Sequence, residues 1–287
     1  MTENQPAATR FTAPDGEVFR VLAWPGDRDL PALLVQHGLG EHGGRYQALA
    51  DGLAGRARVL AFDARGHGHS AGVLGDAAGI DQLADDLQQV VAHVREAYAI
   101  DRLVVYGHSM GGSVTARMLT RRTPVDGVAA VVLSAPAVAV SGTLAMKVKV
   151  KVGKVLKRVA PEMVIGNSLP LSGISSDPAE VTRYVDDPLV HDRVSLRLGD
   201  SIISLGPSIR AAADVAAVPA LMVHGDDDPI IPVEGTRELY ERWGHPLKRL
   251  VVLAGGRHEV HHEVPAVRQQ LFHHVASFLD DALAEAG

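Results

Sequence analysis

The amino-acid sequence predicts an α/β protein with a mainly parallel central sheet and helices on both of its faces. Short apolar runs of strand length alternate with longer segments whose apolar residues recur at helical spacing. The loops after these runs hold most of the histidines and the distinctive glycines, and such loops bind ligands in parallel α/β sheets. One stretch, from about residue 137 to residue 215, interrupts the alternation.

The predicted strands are short and carry few charges, and turn-forming residues follow most of them. They cover residues 31–36, 58–62, 103–106, 128–133, 220–223 and 250–253. Helices are predicted between the strands, where apolar residues recur every three or four positions. They cover residues 46–53, 82–98, about 113–120 and about 265–284.

The interruption predicts an insertion between two strands of the sheet. We expect residues 1–136 and 216–287 to form the α/β core, and residues 137–215 to form a helical cap over the loop ends. The cap contains a basic segment, MKVKVKVGKVLKR. Its apolar residues at helical spacing are Leu144, Val148, Val152, Val155 and Val159, and its positive charges are Lys147, Lys149, Lys151, Lys154, Lys157 and Arg158.

The basic segment has more than one interpretation. A basic amphipathic helix would contact an anionic lipid surface, which predicts a peripheral membrane association. The strict alternation of lysine and valine also fits a strand, and a solvated cap face is an equally good alternative. The sequence does not choose between them.

Composition excludes several classes of function. The chain has 287 residues and a formal net charge of −6, which disfavours general binding of nucleic acid. It has no cysteine, so disulfides, thiolate catalysis and cysteine-based zinc sites are excluded. The polar start has no apolar stretch of a secretory signal, and no apolar run reaches the ~18 residues of a membrane span. We therefore expect a cytoplasmic protein.

The segment VVYGHSMGGSV contains the strongest catalytic signal. A predicted strand ends at Tyr106, a predicted helix follows, and Gly107-His108-Ser109-Met110-Gly111 between them fits the pattern G-x-S-x-G. A tight strand-to-helix turn exposes the serine, and glycines on both sides relieve the crowding that such a turn causes. Ser109 is the candidate nucleophile, and a packed turn serine is the alternative.

A serine nucleophile needs a base and an acid, which follow it along the chain in this kind of sheet. The loop after residues 220–223 holds Asp226, Asp227 and Asp228, and spacing alone does not choose among the three. The loop after residues 250–253 holds the candidate base. It is His258, and its competitors are His261, His262, His273 and His274, of which the last two fall inside the final predicted helix.

The negative oxygen that forms during acyl transfer needs two backbone donors. The N–H group of Met110 opens the helix after the serine, and the loop His37-Gly38-Leu39-Gly40 has small residues that let a backbone approach the substrate. The N–H groups of Leu39 and Met110 are therefore the candidate donors.

Several motifs together extend the pattern of Ser109. HGLGEHGGRY, FDARGHGHSAG, GHSMGG, SAPA, SSDPAEVTRYVDDPLVH, HGDDDPIIP and RHEVHHEVP resemble the monoacylglycerol lipase and lysophospholipase branch of the α/β-hydrolase family. The resemblance covers most of the chain from about Val18 onward. It implies the α/β-hydrolase fold and a serine hydrolase of lipid monoesters, with monoacylglycerol as the expected substrate and with no metal or organic cofactor.

The same resemblance assigns roles to individual residues. It implies Ser109 as nucleophile, Asp228 as acid and His258 as base, with Leu39 and Met110 as oxyanion donors. Glu41, Arg45 and His261 match positions near the polar head of the substrate in relatives. Glu41 and Arg45 could instead form a structural ion pair.

Other functions compete with a lipid monoester hydrolase. Carboxylesterase, lysophospholipase, thioesterase and carbon–carbon bond hydrolase chemistry use the same three residue types. His258-Glu259-Val260-His261-His262 also reads H-E-x-x-H, which on a helix would form a zinc protease site. Against it, Gly255 and Gly256 precede the motif and Pro265 follows it closely. A non-catalytic binding protein on the same fold is the third alternative.

Overall fold

The computed structural model describes residues 4–121, 125–139 and 158–284. A sheet of eight strands lies at its centre, and a separate pair of strands lies in the insertion. In chain order the strands are β1 (Ala7–Thr12), β2 (Val18–Ala23), β3 (Ala32–Gln36), β4 (Arg58–Phe62), β5 (Leu103–His108), β6 (Ala130–Ser134), β7 (Val164–Gly166), β8 (Arg193–Ser195), β9 (Ala220–Gly225) and β10 (Lys248–Leu253).

The central sheet is mainly parallel, as the sequence predicts. Its strand order is β1-β2-β4-β3-β5-β6-β9-β10. The strands from β4 to β10 in this order pair in parallel, whereas β2 is antiparallel to both β1 and β4. The parallel strands therefore end at one common edge of the sheet, and the loops with the candidate catalytic residues follow them there.

The helices of the described residues connect these strands. In chain order they are α1 (Gln47–Gly52), α2 (Ile80–Ala97), α3 (Met110–Leu119), α4 (Pro178–Asp186), α5 (Leu196–Ala211), α6 (Val233–Arg242) and α7 (Pro265–Ala284). Short 3₁₀ turns cover Gly43–Tyr46, Leu171–Gly173, Ala213–Val215 and Val260–His262. The last helix begins at a proline, whose missing N–H group would have no acceptor in the first turn.

Two hydrophobic layers hold the helices against the sheet. Alternate residues of a strand point to opposite faces, so Leu34 and Val105 pack with α2 and α3 on one face. Leu33 and Tyr106 pack with α1 and α7 on the other. Because each fully buried large apolar side chain contributes about 1.5–3 kcal/mol, these two layers fix the sheet and the positions of the loops at its edge.

The described part of the insertion contains an antiparallel strand pair and two helices. β7 pairs with β8, and α4 and α5 follow in the same region. The basic segment lies outside the described residues, except for Arg158 at its end. The division into core and cap stays a prediction. Within the described ranges, no helix combines the length and the apolar character that crossing a membrane requires.

The sequence did not predict the hairpin of β1 and β2, the pair β7–β8 or helix α6. β1 is almost entirely exposed, so its residues carry no pattern of alternating burial that a sequence could show. β7 and β8 have three residues each, which is too short for periodicity. All six predicted strands and four predicted helices of the core are present, with ends shifted by a few residues.

Candidate active site

Ser109 lies in a strained turn between β5 and α3. Its φ of 53° and ψ of −119° are in a region that residues other than glycine rarely adopt. A Cβ atom at Gly107 would lie 2.5 Å from Thr115 Oγ1, and one at Gly111 would lie 2.0 Å from the main-chain oxygen of Gln36. Only glycine fits at these two positions, so G-x-S-x-G here reflects close packing of the turn.

Ser109, His258 and Asp228 form a continuous hydrogen-bonded chain. Ser109 Oγ lies 2.8 Å from His258 Nε2, and His258 Nδ1 lies 2.8 Å from Asp228 Oδ2. Since a carboxylate only accepts, Nδ1 carries a proton that it donates to Asp228, and Nε2 of the neutral ring can accept the serine proton. The three residues come from the loops after β5, β9 and β10.

The charges of the acid and the base stabilise each other. Burial disfavours the imidazolium form of His258, but the carboxylate of Asp228 outweighs it and raises the pKa of the ring. Burial likewise disfavours the ionised carboxylate, but His258 and then His224 outweigh it and hold the pKa of Asp228 well below its usual range. Asp228 is therefore ionised at neutral pH and favours the protonated state of the base.

The structure distinguishes the three neighbouring aspartates. The side chain of Asp228 is only 1% exposed, and its Oδ1 accepts from the main-chain N–H groups of Ile230 and Ile231 at 2.8 and 3.1 Å. Asp226 accepts from the N–H of Gly255, and Asp227 is exposed and lies 3.6 Å from Arg257. Among the three, Asp228 is the one that bonds to His258, so the sequence ambiguity is resolved by the direction of the side chains.

The candidate oxyanion donors lie beside Ser109. Met110 is the first residue of α3, so its N–H group has no acceptor within the helix. A Cβ atom at Gly38 would lie 3.2 Å from the Cβ of Ser109, which places the peptide of Leu39 next to the serine.

His37 orients that peptide. Its Nε2 accepts from the N–H of Ala64, so in the neutral ring Nδ1 donates, and it contacts the carbonyl oxygen of Gly38 at 2.8 Å. Burial lowers the pKa of His37 and keeps the ring neutral. The N–H of Leu39, which belongs to the same trans peptide, points the opposite way. The roles of Leu39 and Met110 as donors stay predictions.

Glu41 and Arg45 lie in a buried ion-pair network. Arg45 donates to Glu41 at 2.8 Å and to both oxygens of Glu259 at 2.7 Å each, and its guanidinium lies 4.6 Å from the ring centre of Tyr184. Glu41 also accepts from the N–H of Gly38 at 2.6 Å. The side chain of Arg45 is only 6% exposed. These contacts favour the structural ion pair over a head-group contact, which stays a prediction.

His261, the third candidate head-group residue, is buried within aromatic rings. It stacks on Tyr46 at 4.7 Å between ring centres and contacts the edges of Tyr106 and His108. Burial lowers its pKa well below the usual value. Its Nε2 has no hydrogen-bond partner among the described residues. His273 and His274 lie in α7, as the sequence predicts.

The H-E-x-x-H interpretation conflicts with the local backbone. Residues Val260–His262 form a 3₁₀ turn, so the two histidines do not share one face of an α-helix. His258 is bonded to Ser109 and Asp228. Glu259, His261 and His262 have potential ligand atoms within 4.8 Å of one another, but Arg45 already occupies both carboxylate oxygens of Glu259. The zinc protease hypothesis is therefore disfavoured by the geometry.

A surface pocket of about 660 Å³ adjoins the ion-pair network, because Arg45 and His262 are among its lining residues. Its walls come from the core and from α4 of the insertion, and Ser109, Asp228 and His258 do not line it. Its lining residues are Gly44, Arg45, Gln47, Ala48, Asp51, Gly52, Glu180, Arg183, Asp187, His262, Arg268 and Phe272.

Sequence reasoning missed the contacts that the insertion makes with the base. The N–H of His258 donates to the carbonyl of Gly173 at 3.1 Å, and the N–H of Glu259 donates to that of Ile174 at 2.8 Å. The N–H of Ser176 donates to buried Glu263 at 2.8 Å. The motif SSDPAEV was part of the family resemblance, but nothing in its composition indicated that it would bond to the histidine loop.

Comparison with known proteins finds relatives over most of the chain. A family model described as serine aminopeptidase, S33, matches residues 29–265. The monoacylglycerol lipase of Mycolicibacterium smegmatis is 36% identical over 244 residues, which are 84% of this chain and 85% of that protein. An uncharacterized abhydrolase domain-containing protein of Dictyostelium discoideum is 32% identical over 255 residues, and the chain spans 26% of that protein's length.

A solved structure extends the similarity to the fold. The crystal structure of Paleococcus ferrophilus monoacylglycerol lipase superposes with a TM-score of 0.79 at 29% identity, over 97% of this chain and 99% of that one. The predicted α/β-hydrolase fold and the resemblance carried by the motifs are thereby confirmed. The chain belongs to the serine aminopeptidase S33 family of α/β-hydrolases.

Proposed function

We propose that this protein is a serine ester hydrolase that cleaves monoacylglycerol to a fatty acid and glycerol. The observation that carries the proposal is the relay of Ser109, His258 and Asp228, with hydrogen bonds of 2.8 Å on both sides of the imidazole. The relatives support the substrate class, because two of the similar proteins are monoacylglycerol lipases.

In the first half of the proposed reaction, Ser109 Oγ attacks the ester carbonyl carbon while His258 Nε2 takes the serine proton. Asp228 keeps the imidazole in the required tautomer and stabilises the positive charge that forms on it. The N–H groups of Leu39 and Met110 bind the negative oxygen of the tetrahedral intermediate. When the intermediate collapses, the bond to the glycerol oxygen breaks and His258 returns the proton to that oxygen.

In the second half, water attacks the acyl-serine. His258 removes a proton from the water, and the resulting tetrahedral intermediate releases the fatty acid as Ser109 regains its proton from His258. Every group transferred in this cycle comes from the ester, from water or from the side chains of the relay. We propose that residues 137–215 cover the acyl chain, as a cap over the ends of the strands.

A substrate panel tests this proposal. Monoacylglycerols, diacylglycerols, lysophospholipids and p-nitrophenyl esters are offered to the wild type and to Ser109→Ala, and we expect the highest kcat/KM for monoacylglycerol and loss of all activity in the variant. Ser113→Ala is the matched control, since Ser113 is a buried serine in the first turn of α3 whose Oγ has no hydrogen-bond partner among the described residues. We expect it to keep activity.

Other results would redirect the assignment. If lysophospholipids or short esters are the best substrates, the alternative of a lysophospholipase or a broader carboxylesterase holds while the mechanism stands. If a chelator abolishes activity and a fluorophosphonate does not, a metal enzyme replaces the serine hydrolase. If Ser109→Ala keeps every measured activity, the relay is not the site.

Peripheral membrane contact is part of the same proposal, for a protein that we expect in the cytoplasm. The support comes from the six positive charges at residues 147–158 and from Met163, Ile165 and Leu171, which are exposed apolar residues of the described insertion. Sedimentation with vesicles tests it. We expect binding to vesicles that contain an anionic phospholipid and not to purely zwitterionic ones, and replacement of the five lysines by glutamine should abolish the difference.

A further inference from the structure

His224 is a fully buried histidine that the proposed mechanism does not use. It lies near the end of β9, four residues before Asp228, and its ring has contacts on both nitrogens. Nδ1 lies 2.8 Å from Thr236 Oγ1, and Nε2 lies 3.0 Å from the carbonyl oxygen of Ile231. Nε2 also lies 3.2 Å from Asp228 Oδ2.

These contacts determine the tautomer of the ring. A carbonyl oxygen and a carboxylate oxygen only accept hydrogen bonds, so Nε2 of His224 carries the proton. In the neutral ring Nδ1 then accepts, and the hydroxyl of Thr236 is the donor. Thr236 is fully buried in α6, and it therefore fixes the orientation of the imidazole from the side opposite Asp228.

The same contacts complete the surroundings of the Asp228 carboxylate. Oδ1 accepts from the N–H groups of Ile230 and Ile231. Oδ2 lies 2.8 Å from Nδ1 of His258 and 3.2 Å from Nε2 of His224, whose N–H is bonded to the carbonyl of Ile231. Ile231 closes the network, because its N–H donates to the carboxylate while its carbonyl accepts from His224. The oxygen that orients the base is thus held between two imidazoles.

We propose that His224 is a positioning residue of the relay, which holds Asp228 Oδ2 in the direction that orients His258. This inference rests on the proposed function. His224 does not touch the reacting atoms, and it acts by limiting rotation of the carboxylate and by sharing its negative charge. A histidine that only fills the core would need its contacts with Thr236 and Ile231 but not the one with Asp228.

Removal of the donor has two consequences. The carboxylate can rotate, so His258 spends less time in the geometry that accepts the proton of Ser109, and a small misplacement of a catalytic group costs up to about 100-fold in rate. The carboxylate also loses the partial positive charge of the Nε2 group that lies 3.2 Å from Oδ2, so it binds the proton of His258 more strongly. This second effect moves the acidic limb of the kcat/KM profile to higher pH.

Two substitutions at position 224 separate positioning from packing. His224→Met keeps an unbranched buried side chain and has no N–H donor, whereas His224→Gln has an amide that can donate to Asp228 and accept from Thr236. We expect His224→Met to lower kcat by about 10- to 100-fold, to change KM by less than about threefold and to raise the midpoint of the acidic limb. His224→Gln should restore most of kcat and the wild-type midpoint.

The controls make a negative result informative. His273→Gln replaces an exposed histidine of α7 and should leave kcat and the pH profile unchanged. Thr236→Val keeps the volume of the side chain but removes the hydroxyl that fixes the ring, and it carries the test if His224→Met does not fold. We expect a smaller fall in kcat, about three- to tenfold, with a shift of the midpoint in the same direction.

Each outcome is decisive. If His224→Met or Thr236→Val keeps the wild-type kcat and midpoint, the positioning role is overturned while the serine hydrolase stands. If His224→Gln is as impaired as His224→Met and melts at the same lowered temperature, the role of His224 is only packing. If the wild type hydrolyses no ester, the proposed function and this inference fail together.

Discussion

Replacement of Arg45 by methionine tests whether its network is structural or binds the substrate. The variant keeps an unbranched side chain but removes the charge between Glu41 and Glu259, which are each only 2% exposed. Three hydrogen bonds of 2.7 to 2.8 Å are lost, together with the contact on the ring of Tyr184. Two buried carboxylates then have no cation between them.

The expected loss of stability is large. Burial raises the pKa of Glu41 and Glu259, but Arg45 outweighs burial and lowers both values, so its removal destabilises their ionised forms. Breaking a buried ion pair costs about 3–5 kcal/mol. For a chain of 287 residues, 1 kcal/mol corresponds to a change in Tm of about 1.7 °C, so we expect Tm to fall by at least about 5 °C.

The measurement is thermal unfolding beside kcat/KM for a monoacylglycerol and a p-nitrophenyl ester. Arg56→Met is the matched control, because Arg56 and its partner Asp280 are 49% and 65% exposed and such a pair contributes at most about 1 kcal/mol. The triple variant Glu41→Gln, Arg45→Met, Glu259→Gln removes all three charges and should recover much of the lost Tm. A Tm equal to that of the control, with KM raised for monoacylglycerol alone, would refute the structural role.

Three further predictions follow from the geometry of the site. Because Asp228 raises the pKa of His258 above its ordinary value of 6.5, kcat/KM should fall with decreasing pH around a midpoint above pH 6.5. A midpoint below that value in the pH–rate profile would contradict the proton-transfer scheme. Gly111→Ala should destabilise the fold by about 1–3 kcal/mol or more, since its Cβ would lie 2.0 Å from a main-chain oxygen of β3. Gly199→Ala is the control, because its Cβ would meet only a methyl group at 3.6 Å, and equal melting temperatures of the two variants would be inconsistent with a crowded turn. Glu263→Gln should lower the free energy of unfolding by about 1–3 kcal/mol in a denaturant titration, because the buried carboxylate accepts from the N–H of Ser176 and from two further main-chain N–H groups. An unchanged free energy of unfolding would show that this contact between the insertion and the core is dispensable.

The sequence alone predicted those features of the fold that depend on residues close together along the chain. The apolar runs predicted the parallel strands, and G-x-S-x-G marked the turn, whose glycines have backbone neighbours closer than any Cβ atom allows. Sequence spacing could not choose among Asp226, Asp227 and Asp228, because the choice depends on which side chain turns toward a loop that is 30 residues away. The family resemblance, which depends on the residues around Asp228, implies Asp228 as the acid.

The sequence alone could not assign a role to charged residues whose role depends on burial. Glu41 and Arg45 are four residues apart, and such a pair can be a solvated surface contact, a substrate clamp or a buried bridge. Its actual surroundings include Glu259, which is 214 residues away from Arg45 along the chain. No local pattern contains that partner, so the sequence left both interpretations open.

The contacts of the insertion bear on how the relay is held together. The carbonyl groups of Gly173 and Ile174 accept the two main-chain N–H groups at and after His258, so the insertion fixes the backbone that carries the base. The side chain of Ile174 belongs to the same small apolar cluster as Ile230 and Ile231, whose N–H groups hold the acid. One strip of the insertion thus packs against the supports of both residues. A shift of about 1 Å between acid and base is enough to reduce catalysis. A variant without residues 137–215 should therefore lose the alignment of Ser109, His258 and Asp228 as well as any cover over the acyl chain. Such a variant would be inactive because its catalytic residues are misplaced, and not only because the cap is missing.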